Sequence, residues 1–131
     1  MADKKKILAI DDDPVFLRTL TSYLNPSFDL QISKSAAEAT ILLKDVKPDL
    51  ILLDIEMPDI SGFEFLHDIK KNPLLMKTPV IIVSGHTETE FVIHAEASGA
   101  NGVVSKPVNR EDLLHKISEV FEHPPKNLLN L

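Results

Sequence analysis

The sequence predicts an open, doubly wound α/β domain of five βα units, and three observations carry that prediction. Apolar runs of strand length recur as "ILAI" (7–10), "LILL" (50–53) and "VIIV" (80–83). They are rich in branched residues and do not alternate with polar ones, as strands buried on both faces of a parallel sheet do. Stretches with helical spacing separate them, and a polar residue follows each run. A closed eight-unit barrel needs about 250 residues, so a 131-residue chain points to the open sheet.

The elements follow in order. Strand one, "ILAI", runs into Asp11, Asp12, Asp13 and Pro14. Asp13 supplies a helix cap and Pro14 the first helical residue, and Val15, Leu17, Leu20 and Leu24 give the first helix its apolar stripe. "FDLQIS" (28–33) alternates in part, which suits an edge strand. Ser35 with Glu38 fits a capping box, predicting a second helix over 36–46. "LILL" ends at Asp54; Phe63, Phe65, Leu66 and Ile69 mark the third helix after a turn containing Met57, Pro58 and Gly62. "VIIV" ends at Ser84, and residues 91–97 form the fourth helix, with Gly99 as its left-handed stop. "GVVS" (102–105) is the short fifth strand, followed by Lys106. Asn109, with Asp112 three residues on, opens the last helix through Leu113, Leu114, Ile117 and Phe121.

Composition narrows the functions. With 44% hydrophobic residues the chain can bury one core, so residues 1–122 are expected to form a single domain. The remaining "HPPKNLLNL" (123–131) reads as a short tail or the start of a linker. The absence of cysteine removes disulfides and thiolate metal sites. The basic start "MADKKK" is too briefly apolar to be a secretory or membrane segment, which predicts a cytoplasmic protein with no membrane association. A net charge of −6 argues against direct nucleic-acid binding, as do the absence of Trp and the presence of only one Tyr and six Phe.

In open α/β sheets ligands bind at the carboxyl ends of the strands. Asp11 and Asp12 follow strand one, Asp54 strand three, Ser84 strand four and Lys106 strand five. Adjacent first and third strands would bring three carboxylates together, each raising the others' pKa unless a cation joins them. Oxygen-only, cysteine-free surroundings suit Mg²⁺, which takes one or two carboxylates plus phosphate oxygens. Lys106 and Ser84 are donors for an anion on or beside Asp54, and a carboxylate can itself be a nucleophile toward phosphorus. Asp13 is accounted for by capping alone. His67, His86, His94, His115 and His123 share no metal-ligand spacing and read as surface residues.

Together, "ILAIDDDP", "LILLDIEMPDISG", "VIIVSGH" and "GVVSKP" resemble the motif set of the response-regulator receiver domain, the phosphoacceptor module of two-component signalling. The likeness spans about residues 5–122, with the motifs in order. It implies a flavodoxin-like (βα)5 sandwich with strand order 2-1-3-4-5. Asp54 would then be phosphorylated, Asp12 a direct Mg²⁺ ligand, Asp11 a ligand through water and the Glu56 backbone carbonyl a further ligand, with Mn²⁺ as a substitute ion. Ser84 and Lys106 would bind the phosphoryl group, Pro107 would follow a peptide often cis in the family, and Gly85 would leave room for the phosphodonor. Glu56 and His86 would flank the acceptor and tune the lifetime of the phosphoryl group.

The implied partners are a sensor histidine kinase or histidine phosphotransfer protein upstream, and an effector or output domain downstream. Many relatives dimerise on phosphorylation through the face of the fourth helix, fifth strand and fifth helix. Such a module reacts without being a conventional enzyme. One departure stands out: the family usually has Tyr or Phe three residues before the lysine, and here that residue is Val103.

The competing readings are weaker. A haloacid-dehalogenase-like phosphatase wants a second Asp two residues after its nucleophile, where this chain has Glu56. A flavodoxin-type carrier would meet three carboxylates where the flavin phosphate binds. A degenerate receiver acting only as a binding surface would not need all five polar residues.

Overall fold

The computed structural model describes residues 4–122. Ten elements alternate: β1 (Lys6–Ile10), α1 (Pro14–Leu24), β2 (Asp29–Ser33), α2 (Ala36–Leu42), β3 (Leu50–Asp54), α3 (Gly62–Lys71), β4 (Val80–Ser84), α4 (Thr89–Ala97), β5 (Gly102–Ser105) and α5 (Arg110–Glu122). The five strands form one parallel sheet in the order β2-β1-β3-β4-β5. The doubly wound, flavodoxin-like arrangement expected from the sequence is therefore present. The tail over 123–131, with His123, lies outside the described residues.

The unbroken apolar runs have a direct explanation. Successive strand residues point to opposite faces, so both sets must be apolar when helices cover both sides. Leu8, Ile10, Ile51, Leu53, Val80 and Ile82 pack with Phe65, Leu66, Ile69 and Ala95 of α3 and α4. Ile7, Ala9, Leu50, Leu52, Ile81 and Val83 pack with Leu17, Leu20, Leu24, Leu113, Ile117 and Val120 of α1 and α5. β2 lies at the sheet edge, where Gln31 and Ile32 are exposed, matching its partial alternation.

The caps fix where helices start. Asp13 accepts from the Val15 N–H at 2.9 Å, with Pro14 as the first helical residue. Asn109 accepts from the Glu111 and Asp112 N–H groups at 2.8 and 3.2 Å. Gly99 has φ +108°, the left-handed stop expected after α4. Ser61 caps α3 through the Phe63 N–H.

Two expectations are corrected. Ser35 accepts from the Glu38 N–H at 3.0 Å, but its own N–H lies 3.5 Å from Ser33 Oγ, so only half the capping box forms. α2 ends at Leu42 rather than at residue 46. The Lys44 and Asp45 N–H groups turn to the Ile41 and Leu42 carbonyls, three residues back, tightening the chain toward β3.

Candidate phosphoacceptor site

The register of the sheet assembles the site. Ile10 pairs with Leu53, so the residues that follow, Asp11 and Asp54, leave adjacent strands side by side at the carboxyl edge. Asp54 pairs with Val83, which places Ser84 one residue further along the neighbouring strand. Ser84 in turn pairs with Ser105, immediately before Lys106. Asp11, Asp54 and Ser84 are 2%, 6% and 2% exposed, whereas Asp12 and Glu56 face solvent.

Asp11, Asp12 and Asp54 each offer a carboxylate oxygen, and these oxygens lie within 4.8 Å of one another. Lys106 reaches into the cluster from β5. Its ammonium donates to Asp11 Oδ2 at 2.8 Å and lies 3.7 Å from Asp54 Oδ1. The other Asp11 oxygen accepts the Asp13 N–H at 2.9 Å, and Asp54 Oδ1 accepts the Glu56 N–H at 3.3 Å. The Ser84 hydroxyl oxygen accepts the His86 N–H at 3.0 Å, which leaves its proton free to donate.

Asp54 is pushed up to about 6. Burial is the larger cause and the Asp11 charge the next; Lys106 and the Glu56 N–H oppose them. Mutual repulsion, the cause expected from the sequence, contributes through Asp11 but ranks second to burial. Lys106 is raised despite its own burial, because the Asp11 bond and the charges of Asp11 and Asp54 favour the ammonium.

Around Asp54, Gly62 lets α3 start against the loop that follows it. A Cβ there would sit 2.5 Å from Ile55 Cα and 2.7 Å from the Asp54 carbonyl oxygen. Gly85 is the opposite case, with nothing within 4 Å of an added Cβ. His86 Nε2 pairs with Glu56 Oε1 at 2.5 Å, linking the loops that follow β3 and β4. Val103 is half-buried and packs on the α3–α4 side of the sheet. Phe16, which the sequence analysis did not single out, has its ring centroid 4.5 Å from Lys106 Nζ.

A small, buried carboxylate beside two other acids and one lysine, at the carboxyl edge of a 2-1-3-4-5 sheet, defines a receiver-type site. Comparison with known proteins agrees: the family model of the response regulator receiver domain matches residues 7–118, and the chain belongs to that family. It is 30% identical over 117 residues to the protein PilH of Pseudomonas aeruginosa, covering 88% of this chain and 97% of that one. It is 33% identical over 117 residues to the probable transcriptional regulator ycf29 of Pyropia yezoensis, covering 88% of this chain but 53% of the relative. The chain thus spans about half the length of some curated relatives and nearly all of others. A CheY-like receiver domain protein from Methanospirillum hungatei superposes with a TM-score of 0.83 at 31% identity, over 92% of this chain and 95% of that one.

The chain is accordingly a receiver domain of two-component response regulators, a regulatory module. No described helix is long and apolar enough to cross a membrane. The donor set fits a small, hard divalent cation: three converging carboxylates, no nitrogen or sulfur ligand among them, and a single lysine to offset their charge.

Proposed function

We propose that Asp54 is the phosphoacceptor, taking a phosphoryl group from a phosphohistidine of a sensor kinase or phosphotransfer protein. The observation that carries this reading is the position of Asp54: 6% exposed, 3.7 Å from a lysine ammonium and within 4.8 Å of two further carboxylates. Asp11, Asp12, Asp54 and the Glu56 backbone carbonyl would hold Mg²⁺, or Mn²⁺ in its place, which when bound offsets charge on the transferring phosphoryl oxygens.

In the reaction one Asp54 carboxylate oxygen attacks phosphorus. The bond from phosphorus to the donor imidazole breaks, and its electron pair leaves with that nitrogen, which solvent protonates. Lys106 and the Ser84 hydroxyl bind the oxygens of the new aspartyl phosphate. Gly85 keeps the approach open, and the Glu56–His86 pair tunes how long the phosphoryl group survives.

The signal leaves through Ser84 and residues 85–98, toward the face formed by α4, β5 and α5. Val103 has no ring to swing between buried and exposed states. Moving a two-state equilibrium from 1:99 to 99:1 takes about 5.5 kcal/mol. Two charge-assisted bonds supply roughly 3 to 6 at best. A downstream effector, an output domain or a second copy bound at that face would complete the shift. In this reading residues 1–122 are the working cytoplasmic domain, and 123–131 a tail or linker.

The test is intact mass after incubation with Mg²⁺ and acetyl phosphate, comparing wild type with Asp54→Asn. One added phosphoryl unit in wild type alone supports the assignment. Equal uptake by both moves the acceptor elsewhere. No uptake by folded, Mg²⁺-loaded wild type, repeated with a phosphorylated histidine donor, rejects the reaction.

A further inference from the structure

We propose that Phe16 is a positioning residue for the acceptor site: its ring face holds the Lys106 ammonium between Asp11 and Asp54 without neutralising it. The inference rests on the reading of Lys106 as a phosphoryl ligand.

The geometry comes from two ends of the chain. Asp13 and Pro14 fix the start of α1, so Phe16 falls in its first turn, half-buried and packed on the α1–α5 side of the sheet. Lys106 follows β5, 90 positions away in sequence. The ammonium lies 4.5 Å from the ring centroid, 2.8 Å from Asp11 and 3.7 Å from Asp54. An ammonium has three N–H donors and no acceptor, and here three electron-rich groups surround it.

The chemistry separates these neighbours. A carboxylate holds a cation by cancelling its charge, and Asp11 does so. An aliphatic side chain covers the lysine stem and offers nothing to the head. An aromatic face attracts the cation through its quadrupole and leaves the full charge available to an arriving anion. Phe16 thus lets Lys106 turn from Asp11 to an anion on Asp54 without leaving the pocket.

The experiment compares the full chain as wild type, Phe16→Leu and Phe16→Trp, each with and without Lys106→Met. The readouts are the rate of phosphoryl uptake from acetyl phosphate at saturating Mg²⁺ and the NMR shift of the Lys106 ε-methylene protons. A cation–π contact predicts uptake about two- to tenfold slower in Phe16→Leu, restored in Phe16→Trp. Phe16→Leu should have no further effect once Lys106 is Met. The ε-methylene protons should show an upfield ring-current shift in wild type and Phe16→Trp that is lost in Phe16→Leu. Equal rates in wild type and Phe16→Leu overturn the proposal, as does a loss of the same size in the Lys106→Met background, which would mark Phe16 as packing alone. If wild type takes up no phosphoryl group, the reading of the site fails. The ring-current shift still decides the positioning, and its absence from wild type refutes it.

Discussion

Lys106 is bonded to Asp11, at 2.8 Å, and stands 3.7 Å from Asp54, so the cation that would serve the acceptor is engaged by its neighbour. The pair spans 95 residues of sequence and ties the end of β5 to the end of β1. An anion formed on Asp54 would therefore compete with Asp11 for one ammonium.

Removing the ammonium should cost stability. Lys106→Met leaves Asp11 almost fully buried, with the Asp13 N–H as its remaining partner. Stripping one partner from a buried pair costs about 3–5 kcal/mol, and the partial exposure of Lys106 lowers the expectation to about 2. Urea unfolding at neutral pH should show a lower midpoint with an unchanged slope, and adding Asp54→Asn should recover part of the loss.

The raised Asp54 sets a pH dependence with a definite sign. Its pKa is 3.8 as the ordinary value and about 6 in the fold, so the folded state binds the extra proton between those limits. Stability falls as pH rises through this window, by on the order of 3 kcal/mol from this group. In metal-free protein, Asp54→Asn should raise the melting temperature at pH 8 and lose that advantage below pH 4. An advantage that is the same at both pH values would place the cause elsewhere.

Gly62→Ala should damage fold and site together. Its Cβ would meet backbone at 2.5 and 2.7 Å, at Ile55 and at Asp54 itself, where no flexible side chain can yield. A loss of about 2–3 kcal/mol is expected, with slower phosphoryl uptake in the molecules that remain folded. Thermal melts and intact-mass kinetics check the two effects separately.

Gly85→Ala should split them. Among the described residues, its chain neighbours aside, nothing lies within 4 Å of the new methyl group, so stability should change by less than about 0.5 kcal/mol. Uptake from a bulky phosphohistidine donor should slow more than uptake from acetyl phosphate. Equal slowing with both donors would mean that the methyl group disturbs Ser84 instead.

Much of this molecule was legible because its sheet is buried on both sides. β3 and β4 could be read from branched runs alone, since no solvent face interrupts them, and Asp11, Asp54 and Ser84 are each the first polar group after such a run, with Asp12 and Lys106 one residue behind the first. Asp13, Asn109 and Gly99 were legible because capping and left-handed turns are local. The second helix was overextended because residues 43–46 keep an apolar pattern after the backbone has tightened. The bond from Lys106 to Asp11 depends on strand order and side-chain reach, which no spacing records. Phe16 was hidden for a related reason: it sits among apolar residues of α1, and its contact with Lys106 exists only once β5 is placed.

The residues of the proposed acceptor site, Asp11, Asp54, Ser84 and Lys106, all leave the sheet at one edge. The turns over residues 43–49 and 72–79 lie at the other edge; Leu75 and Thr78 are buried there, whereas Lys44, Asp45 and Lys47 face solvent. The exposed stretch at Lys44, Asp45 and Lys47 is where an inserted reporter or recognition peptide would stand farthest from the carboxyl edge, so the scaffold could be re-equipped at its base without touching the proposed chemistry at its top.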